Sequence, residues 1–280
     1  MENIAYYNGK ISAIEEMSIP LNDRSHYFGD GVYDATIASQ HRVYLAEDHI
    51  NRFFNSMALV DIHPNFTKKW LGELLADLAL KVDSSEQFVY FQVSRGTATR
   101  KHAYDLQIKP NLTVFITPST NPKTILSRRL KVQTEPDIRF ELCHIKTLNL
   151  LPNVMSTQRA EQKGLDETIY HRQGRVTECA HSNVHIIQDG RLKTAPTDHW
   201  ILPGIARKHL LLAAEKMGVP CDETAFTLDE LFNAEEVIIT SSSHFCSQVD
   251  EIDGKKVGGR NTKLLQVLQN ETYREFQTLI

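Results

Sequence analysis

Pro118-Ser119-Thr120-Asn121-Pro122 is the only short Pro/Ser/Asn cluster of its kind in mid-chain. Two prolines so close together halt any regular element, so we read residues 118–123 as a linker between two domains. That leaves a small domain at 1–117 and a larger one at 124–280, which suits a chain of 280 residues better than a single core does. Upstream of the cluster, Asn8-Gly9 between Ile4–Tyr7 and Lys10–Ile14 is a two-residue hairpin signal. Val32–Ser39 and Arg42–Leu45 form a second strand pair around Gln40-His41, and Gln87–Ser94 and Leu112–Thr117 are strand-like. Between them, Ile50, Phe53, Phe54, Met57 and Ala58 recur at helical spacing, as do Trp70, Leu71, Leu74, Leu75 and Leu78 after a capping Thr67.

Downstream, turn pairs at Gln173-Gly174, Asp189-Gly190 and Asp253-Gly254 punctuate a strand-rich region. Helices are expected over Leu151–Lys163, stopped by Gly164, over Ile205–Met217, and at the C-terminus after an Asn261 cap. The pattern is α+β, a small α/β domain followed by a larger strand-built one, and not an alternating βαβ array.

Bulk properties exclude several function classes. Hydrophobic residues make up 41%, charged residues 24%, and the formal net charge is −4 with no basic block, which argues against nucleic-acid binding. No apolar run approaches the roughly 20 residues of a membrane-spanning helix. Met1-Glu2-Asn3 shows neither a basic nor an apolar signal region. The four cysteines have no paired or metal-like spacing, and the twelve histidines none either, so reduced thiols, a cytoplasmic location and no metal site are expected.

Common motifs for phosphate loops, zinc proteases, serine hydrolases and dinucleotides are absent. Less obvious constellations remain, each with two readings. Lys146, in the largely apolar Leu142–Leu151, is either an edge residue facing water or a partly buried amine suited to Schiff-base chemistry. Glu178, at the end of a strand, is surface charge or a carboxylate placed to hold a protonated ring nitrogen. Arg100 and His102 belong to a solvated basic loop or to a fork for a substrate carboxylate. Leu202-Pro203-Gly204-Ile205-Ala206-Arg207 is a plain turn or a helix start whose N–H groups take a phosphate, with Ser241, Ser242 and Ser243 as possible hydroxyl donors.

Taken in order, these stretches resemble the class IV (fold-type IV) pyridoxal-phosphate aminotransferases, most closely those acting on D-amino acids. The similarity runs through Asp23-Arg24, Phe28–Tyr33, Glu47–Arg52, Tyr90–Gly96, Asp137–Arg139, Ile145–Leu151, Val176–Glu178, Ser182–Val184 and Leu202–Ile205. It implies a two-domain fold with a pseudo-barrel second domain and pyridoxal phosphate as cofactor. It further implies that Lys146 forms the internal aldimine and shuttles the substrate proton, and that Glu178 pairs with the pyridine nitrogen. Arg139 would lie near the ring hydroxyl, while Arg52, Ile205, Ala206 and Ser242 would take the phosphate. Tyr33, Arg100 and His102 would trap the α-carboxylate of D-amino acids and 2-oxo acids, with Arg100 and His102 reaching across a homodimer. Ala206, Cys179, His181 and Lys101 depart from the family pattern. A branched-chain L-aminotransferase or an aminodeoxychorismate lyase would share the fold, and a non-catalytic scaffold is a more distant alternative.

Overall fold

The computed structural model describes residues 1–120, 126–242 and 244–280. One unit comprises Met1–Thr120 with Ile145–Asn149 and Leu279–Ile280, the other Asn121–His144 with Leu150–Thr278. Pro118 ends a strand, and the expected linker from Asn121 onward lies outside the described residues.

The first unit is built on β1 (Ile4–Tyr7), β2 (Lys10–Ser12), β3 (Gly31–Ser39), β4 (Arg42–Val43), β5 (Glu86–Ser94) and β6 (Asn111–Pro118). They form an antiparallel sheet in the order β2-β1-β6-β5-β3-β4. Asn8-Gly9 and Gln40-His41 turn with positive φ at both residues, which matches strand twist and closes each hairpin in two residues. β2 and β4 are shorter than expected. After Ser12 the chain enters a single turn of 3-10 helix at Ile14–Glu16, and Leu45 turns left-handed to start the helix Ala46–Leu59.

That helix and Lys68–Ala79 cover one sheet face, burying Ile50, Phe53, Met57, Leu71, Leu75 and Leu78 with Val89, Phe91 and Val93. Thr67 caps the second helix by accepting from the Trp70 N–H. Burial of each large side chain stabilises by about 1.5–3 kcal/mol, so this face anchors the unit. Ala58 is exposed instead of buried, and polar His49 and Ser56 take inward positions on the same helix.

The second unit holds β7 (Arg129–Pro136), β8 (Glu167–Arg172), β9 (Arg175–Cys179), β10 (Asn183–Gln188), β11 (Arg191–Thr194), β12 (Cys221–Asp222), β13 (Glu236–Thr240), β14 (Ser247–Ile252) and β15 (Lys255–Lys256). Their order is β12-β11-β10-β13-β14-β7-β8-β9, with β15 on β14. β9 and β10 stand far apart in that order, yet only Ala180-His181-Ser182 joins them, and the Cys179 N–H donates to the Ser182 carbonyl at 2.7 Å. A short link between distant strands requires the sheet to curl, and the unit is a strand-rich half-barrel. The pairings β7–β8, β7–β14 and β11–β12 are parallel, the rest antiparallel. The helix Leu151–Gln162 ends just before the expected Gly164 stop, and Ile205–Lys216 ends one residue short of the expected Met217, ahead of a left-handed Gly218.

Candidate active site

In the first unit the site grows from the start of β3. Successive strand residues face opposite sides, so Tyr33 and Asp34 part company. Tyr33 stacks on Tyr90 of β5, centroids 5.4 Å apart, and Tyr90 stacks in turn on Phe115 at 4.6 Å. Burial raises the Tyr90 phenol far above its ordinary range, so it stays protonated.

Ile145–Asn149 runs along this strand end. The Tyr33 N–H donates to the Lys146 carbonyl at 2.9 Å, and Val32 pairs with Thr147. A Cβ on Gly31 would lie 2.4 Å from the Val93 carbonyl and 2.8 Å from Leu148, so only glycine permits this approach. Ile145 and Thr147 are buried, and Lys146 between them is half-buried. Its ammonium lies over the Tyr33 ring, 4.3 Å from the centroid, while its backbone N–H meets the Ser56 hydroxyl. The lysine is therefore held by its neighbours and pointed by an aromatic face.

Asp34 is fully buried and accepts from His49 Nδ1 at 2.7 Å and from Arg52 Nε and Nη2 at 2.9 and 2.7 Å. Burial opposes its charge, but Arg52 and His49 prevail and hold its carboxyl far below the usual range. Burial lowers the pKa of His49; Asp34 works against that, while Arg52 and Lys146 add to it. Asp34 and His49 were not singled out in the sequence. The available signal was an acid inside an otherwise apolar strand, and a histidine and arginine one helical turn apart.

Arg100 and His102 lie exposed on the loop after β5, and both pack on Phe28, at 5.2 and 5.1 Å. That loop is held by Arg24, a buried residue that stands in a stretch carrying the resemblance but was given no role there. Arg24 donates to the carbonyls of Lys101 and His102 at 2.6 and 3.2 Å and to Asp30 at 2.7 Å. Asp30 also accepts from Arg95, whose guanidinium faces the Tyr104 ring at 3.9 Å. Among the described residues no hydrogen bond or ring contact joins Arg100 or His102 to Tyr33.

The second unit brings Arg139 and Glu178 together. Arg139 Nη1 donates to Glu178 Oε1 at 2.6 Å, and Asp137 holds the same guanidinium through Nε and Nη2 at 3.0 and 2.9 Å. The other carboxylate oxygen of Glu178 accepts from Asn183 Nδ2 and the Leu202 N–H, each at 3.0 Å. Burial pushes the Glu178 carboxyl up to about 6, and Arg139 with these hydrogen bonds restrains a larger rise. Asn183 also donates to the Leu202 carbonyl, and a Cβ on Gly204 would collide with it at 1.9 Å. One asparagine thus ties the carboxylate to the start of the helix Ile205–Lys216. That helix has no side-chain cap, which leaves the first N–H groups, those of Ile205 and Ala206 among them, aimed outward from its positive end. Ser242 lies in the loop after β13, and Ser243 lies outside the described residues.

The family model described as amino-transferase class IV matches residues 31–252. D-alanine aminotransferase of Bacillus licheniformis is 35% identical over 274 residues, covering 96% of this chain and 97% of that protein. The D-alanine aminotransferase of Staphylococcus haemolyticus is 34% identical over 255 residues, 90% of each chain. Among solved structures, a branched-chain aminotransferase from Thermoproteus uzoniensis with norvaline has a TM-score of 0.86 at 19% identity, covering 99% of this chain and 96% of that one. The branched-chain amino acid aminotransferase of Escherichia coli gives 0.85 at 19%, covering 95% and 92%. At such identities the structural likeness is one of fold.

Proposed function

The chain belongs to the class IV aminotransferases, and from that premise we propose that it transfers the amino group of D-amino acids to 2-oxo acids using pyridoxal phosphate. The observation that carries the reading is Lys146, a lysine fixed between two buried neighbours with its amine directed over Tyr33. The D-preference is supported by the D-alanine aminotransferase relatives, at 35% and 34% identity.

The residues fit the cofactor on grounds of their own chemistry. Glu178 is a buried carboxylate under strain from burial, which a protonated ring nitrogen would relieve. The start of the helix Ile205–Lys216 offers uncapped N–H donors to a phosphate, through Ile205 and Ala206, with Ser242 nearby in role. Arg52 adds positive charge for the phosphate, with its guanidinium oriented by Asp34. Arg139, held by Asp137, would lie near the ring hydroxyl. When bound, pyridoxal phosphate supplies the electron sink for the α-carbon. Lys146 would hold the cofactor through its amine, and the same amine would be placed to move the substrate's α-proton. Tyr33, Arg100 and His102 grip the α-carboxylate, which selects the face of the α-carbon presented to Lys146.

The exposed positions of Arg100 and His102 suit a homodimer in which each serves the other subunit's site. Leu106, Ile138, Leu142, Leu151 and Val154 are all exposed large apolar side chains of the kind such an interface covers. Among the described residues no helix is long and apolar enough to cross a membrane, and we place the enzyme in the cytoplasm.

Steady-state turnover of D-alanine with 2-oxoglutarate tests the reading. Activity with D-alanine and little with L-alanine or L-leucine is expected, and Lys146→Ala is expected to lose at least about 10⁴-fold. Turnover of L-leucine alone would give the enzyme branched-chain chemistry, and undiminished activity in Lys146→Ala would remove the lysine from it.

A further inference from the structure

The second unit gathers a cluster that transamination does not use. Glu167 opens β8, His181 lies in the turn between β9 and β10, and His244 follows β13. One donor atom from each lies within 4.8 Å of those of the other two. Glu167 is fully buried, its Oε2 2.9 Å from His181 Nδ1. The rings of His181 and His244 lie nearly parallel, 14° apart in plane and 5.6 Å between centroids. We propose that Glu167, His181 and His244 form a binding site for a divalent transition metal ion of the zinc class.

The donor chemistry fits. Two imidazoles and one carboxylate are a zinc ligand set, and one that calcium and magnesium, which favour oxygen, do not choose. Zinc bonds of about 2.0–2.2 Å place tetrahedral ligands about 3.4 Å apart, so small ring rotations suffice to close the observed spacing. His244 is 9% exposed, and its Nδ1 finds no hydrogen-bond partner among the described residues. An orphaned buried nitrogen is costly, and a bound ion would engage the His244 ring within this cluster.

The carboxylate is also oriented from behind. The Thr168 N–H donates to Oε1 at 2.8 Å and the Ser182 hydroxyl to Oε2 at 3.0 Å, the supporting contacts that built metal sites display. The His181 side chain is 43% exposed, which gives an ion a route in and a water its fourth position. A bound ion would join the turn that follows Glu178 to the loop that carries Ser242, stiffening this half of the site.

Tag-free protein, stripped with a chelator and prepared with and without pyridoxal phosphate, would be titrated with zinc chloride. The expected result is one ion per chain, retained through gel filtration, with a rise in Tm that chelator reverses in both preparations. His181→Ala and His244→Ala are each expected to weaken zinc binding by at least about tenfold and to abolish the Tm rise. Each variant is compared with its own chelated form, so the Tm change on adding zinc is read within one protein and is separate from any loss of the His181–Glu167 contact. No saturable zinc in the wild type would overturn the proposal. So would zinc binding that survives both substitutions or occurs only when pyridoxal phosphate is present.

Discussion

Both units bury a carboxylate beside an arginine, yet the two carboxylates end at opposite extremes. Asp34 meets Arg52 through two hydrogen bonds and His49 through a third, and its carboxyl lies far below the usual range. Glu178 meets Arg139 through a single Nη1 contact, because Asp137 occupies the rest of that guanidinium, and burial leaves it at about 6. The first pair is internally compensated and acts as a brace that holds Arg52 in place. The second retains an unmet demand for positive charge, which the proposed pairing with a protonated ring nitrogen would meet.

The linkage signs differ accordingly. The lowered pKa of Asp34 contributes stability above the ordinary carboxylate range, lost only as pH falls through its depressed folded value. The raised pKa of Glu178 acts in reverse: stability is greatest below its ordinary value of 4.5 and falls as pH rises to about 6. The shift corresponds to about 2 kcal/mol, which a cationic ligand can recover.

Substituting each carboxylate separates the two roles. Asp34→Asn strands Arg52 in a buried place and is expected to cost about 3–5 kcal/mol of stability, measured by denaturant unfolding. A loss below 1 kcal/mol would mean the brace is not one. Glu178→Gln is expected to unfold much like wild type but to lower kcat by about 10²- to 10³-fold. In the wild type, affinity for pyridoxal phosphate should weaken as pH falls below about 6, where Glu178 takes up a proton. The variant should lack that dependence, and a fluorescence titration across pH would reveal it. A dependence that persists in Glu178→Gln would assign it to another group.

Arg100 sharpens the comparison from outside. It is exposed, and among the described residues it has an aromatic neighbour, Phe28, and no carboxylate partner. Arg100→Ala should therefore leave Tm within about 2 °C of wild type. It should raise KM about tenfold or more for both the D-amino acid and the 2-oxo acid. An effect on one substrate alone would contradict a shared carboxylate grip.

Much of the fold was legible locally. The turn pairs closed hairpins in two residues each, including Gln173-Gly174, Asp189-Gly190 and Asp253-Gly254, since left-handed backbone at both positions is a local demand. Helix boundaries followed the Thr67 cap and the Gly164 stop for the same reason. Long-range features were less visible. Strand propensity carried β4 through Leu45, but Leu45 turns left-handed into a helix that the core pulls inward. Ile145–Asn149 packs with the first unit although it lies well past the expected linker, because Gly31 lets it approach β3.

The candidate site divides in the same way. Lys146, Glu178 and Arg139 could be named from the resemblance. Arg24 and His49 stood within stretches that carry the resemblance but had no role assigned, and Asp34 was not among them, because their importance lies in partners that only folding supplies. Glu167, His181 and His244 are distant in sequence and share no spacing a motif would register.

The most direct measurement is the absorbance spectrum of the purified protein loaded with pyridoxal phosphate, recorded after D-alanine and, separately, after L-leucine. Conversion of the visible lysine-bound band to the pyridoxamine form with D-alanine, and not with L-leucine, is expected. A spectrum that D-alanine leaves unchanged would contradict D-amino-acid transamination by this chain.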